Sequence, residues 1–263
     1  MEPYVPRSTW DSLPSRVENS TRRILELLAE HGAQGTFFTL GWIAARHRKL
    51  VADIAAAGHE VASHGWGHER VTTLSPDQFR ASIRESKETL EDITGAAVLG
   101  YRAPSFSIVR GGEWALDILL EEGYRYDSSL FPVRRAGYGF VGGGRDPHVI
   151  RRPAGELNEL PPATVSWVGK VLPAGGGAYF RLFPLGLVTS ALDACEARGV
   201  PGTFYIHPWE LDPEQPRTAV SRATQIRHYG GLRRTVPRLR RLLTKFAFQS
   251  IAATLQLESG AAC

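Results

Sequence analysis

Cysteine is almost missing from this chain: Cys195 and Cys263 are the only two in 263 residues. One falls in an expected helix and the other is the last residue, so neither a disulfide scaffold nor a Cys-ligated zinc can be built. Long apolar runs are missing too, and none approaches the length of a membrane span. The opening residues, Met1 to Arg7, show no charged start followed by an apolar stretch, so no signal peptide is visible. No convincing internal repeat is present. The net charge is only +4, with the basic residues crowded into the C-terminal third. A mild excess of that kind gives no reason to expect a nucleic acid partner. What remains is ordinary globular composition, 43% hydrophobic and 22% charged, in a chain long enough for one α/β barrel or two small domains.

The first 14 residues are proline-rich, with Tyr4, Val5 and Trp10 as anchors onto a surface. Ser15-Arg16-Val17-Glu18 has the form of a capping box, and Val17, Thr21, Ile24 and Leu28 fall on one helical face that stops at Gly32. Gly35 to Leu40 is β-branched and aromatic, the pattern of a strand buried on both faces. A helix over 48–57 ends at Gly58, and a strand over 60–63 follows. Ser75-Pro76-Asp77-Gln78 opens a further helix, with Phe79, Ile83, Leu90 and Ile93 on one face until Gly95. Strands over 98–102 and 124–127 flank a helix over 113–122. Strand and helix alternate at a spacing of roughly 25–35 residues, the rhythm of βα units around a parallel sheet or barrel.

The rhythm breaks over 134–155, a Gly- and Arg-rich stretch that reads as a surface excursion. Strands over 156–160 and 163–168 follow. The glycine-rich loop over 173–177 is weak evidence for phosphate binding, and a flexible rim is the plainer reading. After a helix over 185–197, Thr203-Phe204-Tyr205-Ile206 is an apolar strand that delivers His207. Residues 217–241 are rich in arginine, and a helix over 235–246 places Val236, Leu239, Leu243 and Phe246 on one face. Such a helix either skims an anionic surface or packs against the body of the protein; packing is the plainer reading.

The stretch that carries most chemistry is His59 to His68. Its strand ends in His64-Gly65-Trp66-Gly67-His68, a tight loop that can aim two imidazoles at one point. Two imidazoles begin a Zn²⁺ site, but catalytic zinc takes a third protein ligand and an open position. Two polar loop histidines remain the alternative. Arg102 stands at the end of another expected strand, where burial would call for an acidic partner. A fold-stabilising ion pair is its plainer reading, as a backbone-satisfied core histidine is for His207. Asp127 ends a fourth strand.

The ordered set His64-x-x-x-His68, Arg102-x-Pro104-x-Phe106, Tyr126-Asp127-Ser128-Ser129 and Ile206-His207-Pro208 resembles the polysaccharide deacetylases of the NodB-homology type, carbohydrate esterase family 4. Tyr126 to Ser129, His207-Pro208-Trp209-Glu210 and the arginine-rich tail are similar to the subgroup associated with exosortase and exopolysaccharide loci. The resemblance implies an α/β fold, a distorted (β/α)7 barrel over residues 1–210, with 211–263 a basic extension packed on it. It implies a divalent metal, most naturally Zn²⁺, held by His64 and His68. Arg102 would hold the catalytic base, Asp127 would orient the acid, and His207 would be the general acid. Trp66, Phe106, Trp209 and Glu210 would line the groove for an acetylated polysaccharide, with N-acetyl groups the first expectation and O-acetyl the alternative.

One departure is large. The family opens on a strand ending in paired aspartates, which supply the base and the third metal ligand. No such motif precedes the first helix; Asp11 and Glu2 are the only acids there, and Asp11 reads as a surface or capping residue. The expectation is a barrel without its first strand, and either a deacetylase whose start lies upstream or a non-catalytic glycan-binding relative. Without a visible signal peptide the default compartment is the cytoplasm, whereas the resemblance points to an exopolysaccharide or cell-envelope pathway. Neither the oligomeric state nor the polymer is legible.

Overall fold

The structure, a computed structural model, describes residues 7–135 and 138–257. It is an α/β fold on a six-stranded sheet of order β1-β2-β3-β4-β6-β5. The elements are α1 (Val17–Glu30), β1 (Thr36–Thr39), α2 (Gly41–Arg46), α3 (Arg48–Ala56), β2 (Glu60–Ser63), α4 (Pro76–Thr94), β3 (Gly100–Tyr101), α5 (Trp114–Glu121) and β4 (Tyr126–Asp127). Then come β5 (His148–Arg152), β6 (Gly155–Glu159), β7 (Thr164–Trp167), β8 (Lys170–Pro173), α6 (Gly177–Leu182), α7 (Leu185–Ala197), α8 (Arg222–Tyr229), α9 (Leu232–Lys245) and α10 (Ile251–Thr254).

The expected βα rhythm builds the parallel part. Thr36 to Thr39 pair with Glu60 to Ser63, Ser63 with Tyr101, and Gly100 and Tyr101 with Tyr126 and Asp127. Strands in this direction carry His64, Arg102 and Asp127 to the C-terminal end of the parallel strands, where α/β folds place their sites. Gly100 is fixed by packing, because the Tyr126 ring occupies the space its side chain would need. α4 starts on the expected box: Ser75 Oγ accepts from the Gln78 amide at 3.3 Å, and Gln78 Oε1 accepts from the Ser75 amide at 2.9 Å. It stops at Gly95, whose φ is +66°.

Three expectations fail locally. The box at Ser15–Glu18 does not form, because His47 takes both partners: its Nδ1 meets Glu18 Oε1 at 2.8 Å and its Nε2 meets Ser15 Oγ at 3.3 Å. The excursion over 134–155 contains β5, which returns antiparallel onto β6 from His148↔Glu159 to Arg152↔Gly155. Thr203 to Ile206 is extended, but only two isolated bridges hold it, Thr203 to Pro162 and Tyr205 to Gly176. The facing residues explain this: a proline has no N–H to give to a ladder, and Gly176 sits at φ +145°.

Two apolar clusters meet at Phe37. The first is built from α3, α4, α5 and the strands, around Ile54, Ile83, Leu90, Tyr101 and Leu119. The second gathers Ile24 and Leu27 of α1, Phe180 of α6, and Val188 and Leu192 of α7. Leu239, Leu242 and Leu243 of α9 complete it. The arginine-rich helix thus has its apolar stripe buried in the body of the protein. Tyr4 and Val5 lie outside the described residues, as does Cys263; Trp10 packs edge-on against Trp42 at 5.1 Å.

Candidate active site

The His64–His68 loop is pinned before its histidines do anything. His64 donates its amide to Thr39 O at 3.0 Å, and the first two amides of α2, from Gly41 and Trp42, donate to Gly65 O and Trp66 O, each at 3.0 Å. Helix-start amides have no partner inside their own helix, so the loop satisfies α2 while α2 fixes the loop. Gly65 supplies a φ of +75°, and His68 adopts +64° without being glycine. A left-handed residue of that kind persists only where its surroundings hold it.

His64 Nδ1–H donates to Arg102 O at 2.6 Å, which fixes the tautomer and leaves Nε2 free. Burial drives its pKa well below the usual histidine value, and the neighbouring His68, Arg102 and His207 push the same way against the Arg102 carbonyl. His64 is therefore a neutral imidazole, the form a metal takes. The His68 ring stands 5.2 Å away at 70°. The donor chemistry suits zinc, but no group of three His, Cys, Asp or Glu able to hold a metal forms among the described residues. Among the described residues the pair falls one ligand short of a catalytic centre.

Arg102 is 9% exposed and has no ion pair among the described residues, which corrects the expectation of an acidic partner. Its Nε donates to Ser128 O at 3.0 Å and its Nη2 to Ser128 Oγ at 2.6 Å, while its guanidinium lies 4.2 Å from the Phe38 ring centre. A serine and an aromatic face stand where a carboxylate was expected. Burial lowers its pKa to about 10, partly offset by Tyr126, Tyr205, Asp127 and Glu159, so it stays charged at neutral pH.

Asp127 lies behind Arg102 and is completely buried. Its Oδ1 accepts from Ser129 Oγ at 2.5 Å and its Oδ2 from the Ser129 amide at 3.2 Å, while Ser129 Oγ accepts from the Ala103 amide at 2.7 Å. Glu159, at the end of β6, faces it, and Glu159 Oε1 accepts from the Leu130 amide at 3.0 Å. Burial and the Asp127 charge push Glu159 well above the usual carboxylate range, while its Oε2 is buried with no hydrogen-bond partner among the described residues. Asp127 organises the loop under Arg102 and has no hydrogen bond to His207.

His207 comes from the opposite side. Its Nδ1–H donates to Glu210 Oε1 at 2.7 Å, and its amide donates to the same oxygen at 3.0 Å. Glu210 was expected at the substrate; it is fully buried and instead holds the histidine. Its other oxygen accepts from Arg181 Nε at 2.6 Å, inside the fold. Burial would raise the Glu210 pKa, but the hydrogen bond and charge of His207 and the charge of Arg181 outweigh it, and Glu210 stays ionised. His207 is 47% exposed with Nε2 its free nitrogen. Tyr205 and Phe106, 5.1 Å apart, bridge the two sides: Arg102 lies 5.9 Å from Tyr205, and His207 stands edge-on to it at 5.7 Å. Phe106 is half-buried and left-handed at φ +51°. Trp66 packs against Gly41, and Trp209 stacks on His207 at 5.6 Å and on His228 at 4.2 Å. Asp11 is at the surface, paired with Arg46 at 2.8 Å.

Residues 6–117 match the family described as polysaccharide deacetylase, and residues 128–256 match a domain of unknown function (DUF3473). Over residues 6–117 the chain is thus similar to the polysaccharide deacetylases. It is 33% identical over 110 residues to the peptidoglycan deacetylase of Helicobacter pylori, covering 41% of this chain and 36% of that protein. Across the first curated relatives it matches, the chain spans between 36% and 48% of their length. The "probable polysaccharide deacetylase" of Pseudomonas aeruginosa PAO1 shares the fold at a TM-score of 0.63 and 17% identity, over 90% of this chain and 72% of that one. A CE4 family pseudoenzyme from Bacillus anthracis does so at 0.51 and 15%, over 93% and 63%. The α/β fold with its parallel sheet is thus that of the NodB-like distorted barrels.

The sequence does not single out Arg181, Glu159, Phe38 and Tyr205, and it presents Ser128 only within the Tyr126–Ser129 motif, without a role of its own. Only Arg181 had a readable signal: an arginine within Tyr179-Phe180-Arg181-Leu182, on an otherwise apolar helix, demands a buried acid.

Proposed function

We propose that this protein acts on an acetylated amino-sugar polysaccharide, seated between the His64–His68 pair and His207, and cleaves its N-acetyl groups. The observation that carries the reading is the His207–Glu210–Arg181 relay. A buried carboxylate, itself ionised by a buried arginine, orients an exposed imidazole and leaves its Nε2 as the nitrogen that can hand over a proton, as a general acid requires. In deacetylation the oxygen of water adds to the acetyl carbon, the C–N bond breaks and acetate leaves; the departing nitrogen takes a proton from His207 Nε2, and the protons that the water loses pass to bulk solvent, which reprotonates His207. Arg102, fixed by Ser128 and stacked on Phe38, keeps a positive charge on the His64 side of the groove. No carboxylate among the described residues stands beside it to accept the water's proton, and no step is assigned to a metal on a two-histidine set.

The test is acetate release from an N-acetylated amino-sugar oligomer. The native chain is expected to release acetate, and His207→Ala to lower kcat about 10²–10⁴-fold with the oligomer still bound. Unchanged kcat in His207→Ala would sink the assignment. A second reading is favoured by the described residues holding neither that carboxylate nor a third ligand: the groove holds the glycan and does not cut it. Oligomer binding abolished by Phe106→Ala, with no acetate released, would establish that reading.

A further inference from the structure

A basic cleft lies beyond Trp209, outside the groove just described. It is about 380 Å³ in volume, and Arg217, Arg233, Arg234, Glu214, Tyr229 and Gly231 are among the residues that line it. Among the described residues Arg217 and Arg234 have no ion pair; Arg217 only overlies the Tyr229 ring, at 5.5 Å. Arg233 reaches Glu214 at 3.4 Å, with both side chains largely in water, a contact that contributes little. Three guanidinium groups face one carboxylate, and like charges held close together favour an anion between them.

The cleft is tied to the proton donor by one side chain. Arg181 binds Glu210 through Nε, Gly230 O through Nη1 at 2.5 Å, and Arg227 O through Nη2 at 2.9 Å. Gly231, at φ +74°, sits so close to Arg181 that an added Cβ would stand 2.6 Å from the Arg181 carbonyl. The floor of the cleft and the His207 imidazole are therefore registered to each other through a buried arginine. Between them runs a continuous row of rings, His207, Trp209, His228 and Tyr229, with centroid spacings of 5.6, 4.2 and 4.7 Å.

We infer that this cleft is a subsite for a carboxylated sugar of the polysaccharide, so that the substrate is an acidic, uronate-bearing polymer. The inference rests on the glycan reading of the His207 groove and names its substrate class. An anionic membrane fits the observations less well. The site is concave, and the apolar stripe of α9 is spent in the core through Leu239, Leu242 and Leu243. A bilayer would need that stripe free.

The test uses the full chain and a hyaluronan oligosaccharide, which alternates N-acetylated and carboxylated sugars. The control is the same oligosaccharide with its carboxylates reduced to alcohols. The carboxylated form is expected to bind about ten-fold tighter, with the margin shrinking as salt rises. In the Arg217→Gln/Arg234→Gln variant, both exposed positions, the two forms are expected to bind alike. Equal binding of both forms by the native chain, or an unchanged margin in the variant, overturns the subsite. So does variant-sensitive binding to phosphatidylglycerol vesicles with no preference for the carboxylated sugar. Acetate release from a neutral acetylated oligomer is scored separately. Release without charge preference removes the cleft alone, and charge preference without release removes the hydrolysis alone.

Discussion

Glu210 shows what one residue does here. It is completely buried between Arg181 and His207, and each of its oxygens is committed. Glu210→Gln leaves the Arg181 guanidinium buried without a counter-charge, a loss of roughly 3–5 kcal/mol. We expect a lower Tm and a lower denaturant midpoint, and a Tm within a degree of the native value would contradict the relay. Ser128→Ala is the matching change on the other side. It removes the 2.6 Å bond to Arg102 Nη2 and should cost about 1–3 kcal/mol in equilibrium unfolding, more than a surface serine would. Much of this shell was hidden in the sequence. His64, His68, Arg102 and His207 stand out because strand patterns end on them. Ser128 and Glu159 do not, because nothing local distinguishes a serine that replaces a carboxylate or an acid whose pKa is raised by burial beside another.

Elements were legible where the physics that forms them is local. The Ser75–Gln78 box and the αL glycine at 95 are readable from a few residues, and both are present in the fold. The box expected at Ser15–Glu18 is equally well formed as a pattern, but His47 is a long-range competitor that no local reading sees. β5 was missed for a related reason. Its pairing is antiparallel to its sequence neighbour, inside a stretch whose glycines and arginines conceal the alternation of the strand. α9 offers the sharpest test at this scale. Leu242 is completely buried against the second cluster, so Leu242→Ala should cost about 2–5 kcal/mol. A helix merely laid on the outside would lose far less, and a change below about 1 kcal/mol would detach α9 from the core.

Across the whole molecule, the two buried acid systems pull stability in opposite directions with pH. Glu210 is held below its ordinary value of 4.5, so its contribution is complete above that value and is lost as acid protonates the folded state. Asp127 and Glu159 are raised by burial and by each other, so the folded state keeps a proton that the unfolded chain gives up near the ordinary carboxylate range. Their contribution is present in acid and declines as pH climbs from that range through the folded value. Folding free energy should therefore peak between the two losses. Glu159→Gln separates them, because the amide keeps a hydrogen-bonding head beside Asp127 and removes the group that titrates there. Urea midpoints measured from about pH 2 to about pH 8 should fall less for the variant on the alkaline side, and should fall as steeply as native on the acid side. Parallel curves over the whole range would mean that burial beside Asp127 does not raise the Glu159 pKa.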